Sequence, residues 1–136
     1  MLHFEDVNWL AVLAATAAGF LLGGLWYGPL FGKAWMAAVG KTEEELRAVG
    51  SAKPMGISLV AQLVTAIFLA GFFAAIGVEG WHNGLHTGLL LFLALVATAM
   101  ASDYAFCGWG LKLWLIQSGY RLAYGAIMGA ILAGWR

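Results

Sequence analysis

Charged residues are scarce in this sequence. Only 10% of its 136 residues carry a charge, whereas about a quarter do in a soluble domain, because its surface must be solvated. In contrast, 62% of the residues are hydrophobic and the mean hydropathy is +0.85. This composition excludes an ordinary soluble domain. It indicates an integral membrane protein, so the lipid bilayer is an expected partner.

Other scarcities exclude further classes of function. The single cysteine, Cys107, cannot form a disulfide within the chain. Seven basic and seven acidic residues give a net charge of zero and leave no basic patch, so no nucleic-acid partner is expected. The serines stand outside any nucleophile elbow, and no glycine loop of the phosphate-cradling type is present. We therefore predict no catalytic residues, no cofactor and no enzymatic activity.

Long apolar stretches occupy most of the chain. Four of them reach the length of about 20 residues that a helix needs to cross a bilayer, at roughly 7–27, 55–77, 85–106 and 113–134. The first has no basic flank and is too long for the core of a signal peptide, so we expect it to be retained. The predicted fold class is an all-α membrane protein: a single domain, 1–136, with four transmembrane helices in a bundle of two hairpins.

Positive charge is concentrated on one side of this arrangement. Five basic residues fall in the first and third loops: Lys33, Lys41, Arg47, Lys53 and Lys112. The opposite side has only Arg136. Because short loops rich in Lys and Arg stay in the cytoplasm, we expect both termini and the second loop to face the opposite, outer side of the membrane.

The first loop begins with "GGLWYGPLFGKAW" (23–35), where an apolar helix meets aromatic residues and a Gly-Pro pair. Aromatic rings favour the headgroup region, and proline disfavours a continuing helix. We predict an interfacial elbow formed by Trp26, Tyr27, Gly28, Pro29, Phe31, Lys33 and Trp35. In "KTEEELRAVG", Thr42 and Glu45 have the spacing of a capping box, which predicts a short cytoplasmic helix ending at Gly50.

Small residues recur one helical turn apart in three of the long segments. Such residues let helix backbones approach closely in lipid, either within one bundle or between subunits. The packing residues predicted in this way are Ala15, Gly19, Gly23, Gly84, Gly88, Gly125, Gly129 and Ala133. Because four thin helices bury little as a monomer, we expect a homo-oligomer or association with other membrane subunits.

Polar residues recur at helical spacing in the cytoplasmic halves of the later segments. The candidate intramembrane cluster consists of Ser58, Gln62, Thr65, Asp103, Gln117, Arg121 and Tyr124. Because charge inside a membrane is costly, Asp103 and Arg121 are expected to pair. Two interpretations remain open: a hydrogen-bonded network that holds the bundle together, or a vestibule that binds a small solute, a proton or a lipid headgroup.

Two histidines and a carboxylate lie on the outer side, at Glu79, His82 and His86. Such a set can hold zinc or iron, but "HNGLH" has no glutamate at the metalloprotease position. Solvated histidines at a headgroup boundary are the commoner case, so these three residues are weak candidates and we predict no metal site.

Three stretches carry a resemblance to a known family: "NWLAVL", "GGLWYGPLFGKAW" with the following "EEE", and "LKLWLIQSGYRLAYGAIMGAILAGW". Together they resemble the bacterial membrane family catalogued as domain of unknown function 1761, over nearly the whole chain. The resemblance implies four helices and a bacterial inner membrane, and it implies no activity. By resemblance the family's signature positions are Trp26, Tyr27, Gly28, Pro29, Phe31, Gly32, Lys33, Trp35, Gly119, Tyr120 and Gly129.

The sequence thus favours a homo-oligomeric or accessory helix-bundle subunit that acts through contacts with helices and lipid. The alternative is a channel or transporter for a small solute that uses the cytoplasm-facing polar cluster.

Overall fold

A computed structural model describes all 136 residues, and it contains helices, short loops and no strand. The all-α fold class is therefore confirmed. The helices are α1 (Trp9–Leu25), α2 (Gly32–Val39), α3 (Glu43–Val49), α4 (Ala52–Ile76), α5 (Trp81–Leu91), α6 (Thr98–Cys107) and α7 (Leu111–Gly134). Two π-helical turns continue the chain without a break, Trp26–Leu30 after α1 and Phe92–Ala97 between α5 and α6.

Local signals fix several of the helix ends. The Asn8 side chain accepts hydrogen bonds from the N–H groups of Leu10 and Ala11 at the start of α1. Thr42 Oγ1 accepts one from the Glu45 N–H at 3.2 Å, which starts α3 as its capping pattern predicted. Gly77 ends α4 with a φ of 72°, a conformation that costs little only for glycine.

The predicted break at Gly28-Pro29 is wrong. The first helix continues through Pro29 as a π-helical turn, closed by a hydrogen bond from the Phe31 N–H to the Trp26 carbonyl at 2.8 Å. A wider turn accommodates the proline ring, which would crowd the carbonyl four residues earlier in an α-helix. The helix leaves helical geometry only at Phe31, with a φ of −124°.

Three helices are long and apolar enough to span a membrane: Trp9–Leu30, Ala52–Ile76 and Trp81–Cys107. The sequence predicts four. α7 has 24 residues and thus the length of a span, but Gln117 and Arg121 interrupt its apolar character. The prediction of four apolar spans treats every long segment as facing lipid. A helix that packs against several others can carry polar residues, because these can face protein.

α7 is the central helix of the fold. Ten of its residues are buried, more than in any other helix, and it packs against α1, α4 and α5. α1 also packs against α4, whereas α5 packs mainly on α7. Because α7 contacts helices of both halves of the chain, these contacts do not establish the predicted division into two hairpins.

Hydrogen bonds bring both termini to one end of the bundle, which we call the terminal end. Asn8 Nδ2 donates to the Trp135 carbonyl at 2.9 Å, and Arg136 donates to the Val78 carbonyl at 2.8 Å. The opposite end carries α2, α3 and the loop between α6 and α7. We call it the lysine end, because it holds Lys33, Lys41, Arg47, Lys53 and Lys112.

The outward faces of the spanning helices are strongly apolar. Only 26 of 136 residues are buried. Large apolar side chains on α1, α4, α5 and the π-helical turn after α5 are more than 60% exposed. Among them are Leu10, Leu21, Val60, Leu90 and Leu95. Lipid tails solvate such faces, whereas water does not.

Candidate functional site

The small residues of α5 and α7 form a backbone contact that we call the glycine seam: Gly84, Gly88, Gly125 and Gly129. A Cβ atom placed on Gly84 would lie 2.0 Å from the Gly129 carbonyl oxygen, and one on Gly88 would lie 2.1 Å from that of Gly125. No other residue fits at such distances. Ala133 extends the same contact, since its Cβ would lie 2.5 Å from a Cβ placed on Gly84.

The small residues of α1 make room for side chains of α7. A Cβ atom on Gly19 would lie 2.9 Å from Met128 Cε, and one on Gly23 would lie 3.0 Å from Tyr120 Oη. Ala15 is fully buried in the same core. All the predicted packing residues are therefore used within one chain, so they no longer support self-association.

A hydrogen-bonded relay links three helices beside these glycines. Gln62 Nε2 on α4 donates to Tyr120 Oη on α7 at 2.7 Å, and Tyr120 Oη donates to the Gly19 carbonyl on α1 at 2.8 Å. Gln62 and Tyr120 are each 4% exposed. Gln62 Oε1 is buried without a hydrogen-bond partner, although a buried unpaired acceptor costs about 1–3 kcal/mol.

Tyr120 is the middle residue of this relay, and the helical spacing of polar residues does not predict it. The sequence indicates Tyr120 only as a signature position of the family that it resembles. The reason is that a tyrosine in an apolar helix looks like one more aromatic core residue. Tyr120 lies three residues after Gln117 and one before Arg121, and that proximity to two polar residues is the available signal.

A cleft of about 590 Å³ lies beside the relay at the lysine end. We call it the α1–α4–α7 cleft, and Trp35 of α2 also contributes to its wall. Its polar lining residues are Tyr27, Trp35, Ser58, Gln62, Gln117, Tyr120 and Arg121. Apolar surface comes from Phe20, Pro54 and Met55, and the remaining wall consists of glycines.

Aromatic residues of the elbow form the α1 side of the cleft and fasten it to α7. Tyr27 Oη donates a hydrogen bond to Gln117 Oε1, and Trp26 Nε1 donates to the Ile116 carbonyl at 3.0 Å. The Trp35 ring packs edge-on against Tyr27, with centroids 5.7 Å apart. Its Nε1 atom is buried and has no acceptor.

The expected pair between Asp103 and Arg121 is wrong. The chain contains one ion pair, Arg47–Glu43, on the surface of α3. Asp103 is exposed on α6, while the Arg121 side chain lines the α1–α4–α7 cleft on the side of α7 that faces α1 and α4. The guanidinium Cζ lies 5.5 Å from the centroid of the Tyr120 ring. The cleft therefore contains a cation and no carboxylate.

Comparison with known proteins places the chain in a family. The profile of a family described as a protein of unknown function (DUF1761) matches residues 10–133. The chain belongs to the DUF1761 family. No curated protein and no solved structure matches it. The resemblance seen in the sequence is thereby confirmed at the level of the family.

The remaining members of the polar cluster of this DUF1761 protein lie outside the cleft. Thr65 Oγ1 donates to the Ala61 carbonyl of its own helix at 2.8 Å. Tyr124 is buried, with its ring 4.9 Å from that of Phe92. The structure thus brings four of the seven candidates to one cleft, namely Ser58, Gln62, Gln117 and Arg121, and leaves Thr65, Asp103 and Tyr124 elsewhere.

The histidines of the DUF1761 chain lie at the terminal end. The Nε2 atoms of His82 and His86 are 3.2 Å apart, a distance that fits one N–H···N hydrogen bond. The Glu79 carbonyl accepts a hydrogen bond from Asn83. No group of three or more His, Cys, Asp or Glu side chains is arranged to hold a metal ion.

Proposed function

We propose that this protein is a four-span integral membrane protein that binds a small amphipathic ligand in the α1–α4–α7 cleft. The observation that carries the proposal is a cleft of ligand size lined by Arg121, which has no ion pair, and by Gln62 and Trp35, each of which keeps one buried polar atom without a partner. Ligand sites in proteins have volumes of about 300–1,000 Å³ and combine apolar surface with placed polar groups. The volume of this cleft lies in that range, and its wall combines Phe20, Pro54 and Met55 with residues that carry polar atoms.

The proposal takes α7 as the fourth span. Its 24 residues extend about 36 Å at 1.5 Å per residue, which exceeds the hydrocarbon thickness of about 30 Å. Its polar residues Gln117 and Arg121 face the cleft rather than lipid. Polar residues of a spanning helix are tolerated where they face protein or a cavity.

The distribution of basic residues supports an orientation for the cleft. Five of them belong to the lysine end and one to the terminal end, so the rule for short loops assigns the lysine end to the cytoplasm. The cleft would then open near the cytoplasmic headgroups, with both termini outside. The resemblance to a bacterial family favours a bacterial inner membrane.

The proposal is for binding and does not extend to conduction. A channel needs a continuous polar path, but the core beyond the relay is filled by Val12, Phe73 and Met128, all fully buried. It also does not extend to a homo-oligomer, since the small-residue faces are used within one chain.

Two open glycines provide a matched test. Gly24 lines the cleft, and a Cβ atom added there meets nothing within 4 Å. Gly56 on α4 is equally open and lies outside the cleft lining. Gly24→Leu should project a side chain into the cleft, whereas Gly56→Leu should not.

The measurement is native mass spectrometry of protein extracted gently from its own membrane. We expect the wild type and Gly56→Leu to retain a bound small molecule or lipid, and Gly24→Leu to lose it at unchanged thermal stability. A ligand retained equally by all three proteins would place the site elsewhere, and a wild type that retains nothing would contradict the proposal.

A further inference from the structure

Arg121 is a cation without a counter-ion. Its guanidinium forms no ion pair, and the arginine side chains that form hydrogen bonds within the chain are those of Arg47 and Arg136. The residue lies ten positions after Leu111, the first residue of α7, which is about 15 Å along the helix. At that depth a charged side chain is costly and normally finds a partner.

The partner cannot come from the cleft itself. None of the thirteen lining residues is an aspartate or a glutamate. The guanidinium lies against two aromatic rings, with Arg121 Cζ 5.5 Å from the centroid of the Tyr120 ring and 5.7 Å from that of Tyr124. Cation–π contacts of this kind hold a guanidinium in place but leave its N–H donors free.

The cleft offers further donors beside this cation. The Ser58 hydroxyl group and the Trp35 indole both belong to residues that line the cleft, and the Trp35 N–H has no acceptor within the chain. Arg121, Trp35 and Ser58 come from α7, α2 and α4 respectively, so they surround the space from different sides. A site with a guanidinium that has no ion pair, lined by further residues that carry donor groups, complements a group with negative oxygen atoms.

We infer that the ligand of the α1–α4–α7 cleft is an amphiphile with an oxyanion head, a phosphate or a carboxylate, and that Arg121 is its counter-ion. The inference rests on the proposed function, because it names the ligand class of the same cleft. The apolar body would lie along Phe20, Pro54 and Met55, which provide the non-polar wall. Arginine suits this role since its planar fork binds an oxyanion through two parallel hydrogen bonds.

The test compares probes that share one alkyl chain. The protein is placed in nanodiscs of neutral phosphatidylcholine, and binding of decyl phosphate, decanoate and decanol is measured by isothermal titration calorimetry, with nanodiscs that contain no protein as the reference for partitioning into lipid. We expect at least one anionic probe to bind about tenfold more tightly than decanol, a difference of about 1.4 kcal/mol.

Two variants assign this preference to Arg121. Arg121→Gln should bind all three probes equally, and Arg121→Lys should retain only part of the preference, because an ammonium group lacks the planar fork. The lysine variant also keeps the charge, so it stays informative if the neutral variant fails to fold. Arg47→Gln is the matched control, since Arg47 pairs with Glu43 on an exposed helix, and it should behave as the wild type.

Competition distinguishes the source of the oxyanion. Inorganic phosphate that displaces decyl phosphate would indicate a head group supplied from solution. Phosphatidic acid in the nanodisc that displaces it, where inorganic phosphate does not, would indicate a membrane lipid. Either result supports the inference.

The failures of the two proposals can be told apart. If decanol binds as tightly as the anionic probes and Gly24→Leu abolishes all binding, the cleft is a ligand site and the oxyanion inference is wrong. If an anionic preference persists in Arg121→Gln, the anion binds elsewhere and the inference is also wrong. If no probe binds the wild type, the proposed function itself fails.

Discussion

Replacing Tyr120 with phenylalanine tests whether the relay between α1, α4 and α7 stabilises the fold. The change removes one oxygen atom and leaves the shape of the ring. It eliminates the bonds of 2.7 Å from Gln62 and 2.8 Å to the Gly19 carbonyl. The carbonyl keeps its bond within α1, but Gln62, already unpaired at Oε1, would have neither end of its amide bonded.

The expected loss follows from these two bonds. Hydrogen bonds between membrane helices contribute about 0.6 kcal/mol on average and about 1.7 kcal/mol at most, while an orphaned buried group costs about 1–3 kcal/mol. We therefore expect Tyr120→Phe to lower the free energy of unfolding by about 2 kcal/mol. The measurement is reversible unfolding in mixed micelles with increasing SDS, followed by circular dichroism.

The control for this prediction lies one turn further along α7. Tyr124 is equally buried, at 4% exposure, yet its hydroxyl forms no hydrogen bond, so Tyr124→Phe should cost much less. Adding Gln62→Met to Tyr120→Phe removes the orphaned amide and should recover part of the loss, because apolar replacement of both partners can be nearly neutral. Equal losses in the two tyrosine variants, or no recovery in the double variant, would refute a stabilising relay.

Two further predictions concern helix packing and topology. Gly84→Ala places a methyl group 2.0 Å from the Gly129 carbonyl oxygen, where ordinary contact begins at 3.4 Å, so α5 and α7 must separate by about 1.4 Å. We expect the free energy of unfolding to fall by about 3 kcal/mol, near the upper end of overpacking costs. Gly56→Ala should lower it by almost nothing in the same unfolding assay. In intact cells, exposed Cys107 at the lysine end should resist a membrane-impermeant maleimide, whereas Arg136→Cys in a Cys107→Ser background should react. The opposite labelling pattern would reverse the proposed orientation.

Local features of the fold could be predicted because their causes are local. The cap of Thr42 needs only its own turn, and the three apolar spans need only an unbroken run of residues that lipid can solvate. The nature of α7 could not be predicted in this way. Its polar residues are accommodated by helices that are distant in sequence, and the average hydropathy of a segment does not contain that information.

The candidate site was predictable in part for a similar reason. Helical spacing placed Ser58 and Gln62 on one face, and Gln117 and Arg121 on another, and the fold brings these faces to one cleft. The expected pair of Asp103 and Arg121 assumed that opposite charges in adjacent helices meet. The rotation of α6 and α7 about their own axes decides that question. For α7, the glycine seam with α5 fixes this rotation through close backbone packing, which takes no account of charge.

The position of the cleft follows from the sizes of the residues around α7. On the α5 side the backbones touch at Gly84 and Gly129, so no space remains there. On the α1 side, the space that Gly19 and Gly23 leave free is occupied by side chains of α7. α4 meets α7 over a shorter stretch, with Gln62 as the residue that bonds across. The apolar core between α4 and α7 lies on the far side of this bond, from Ala66 to Phe73, and the α1–α4–α7 cleft is the gap on its near side, at the lysine end.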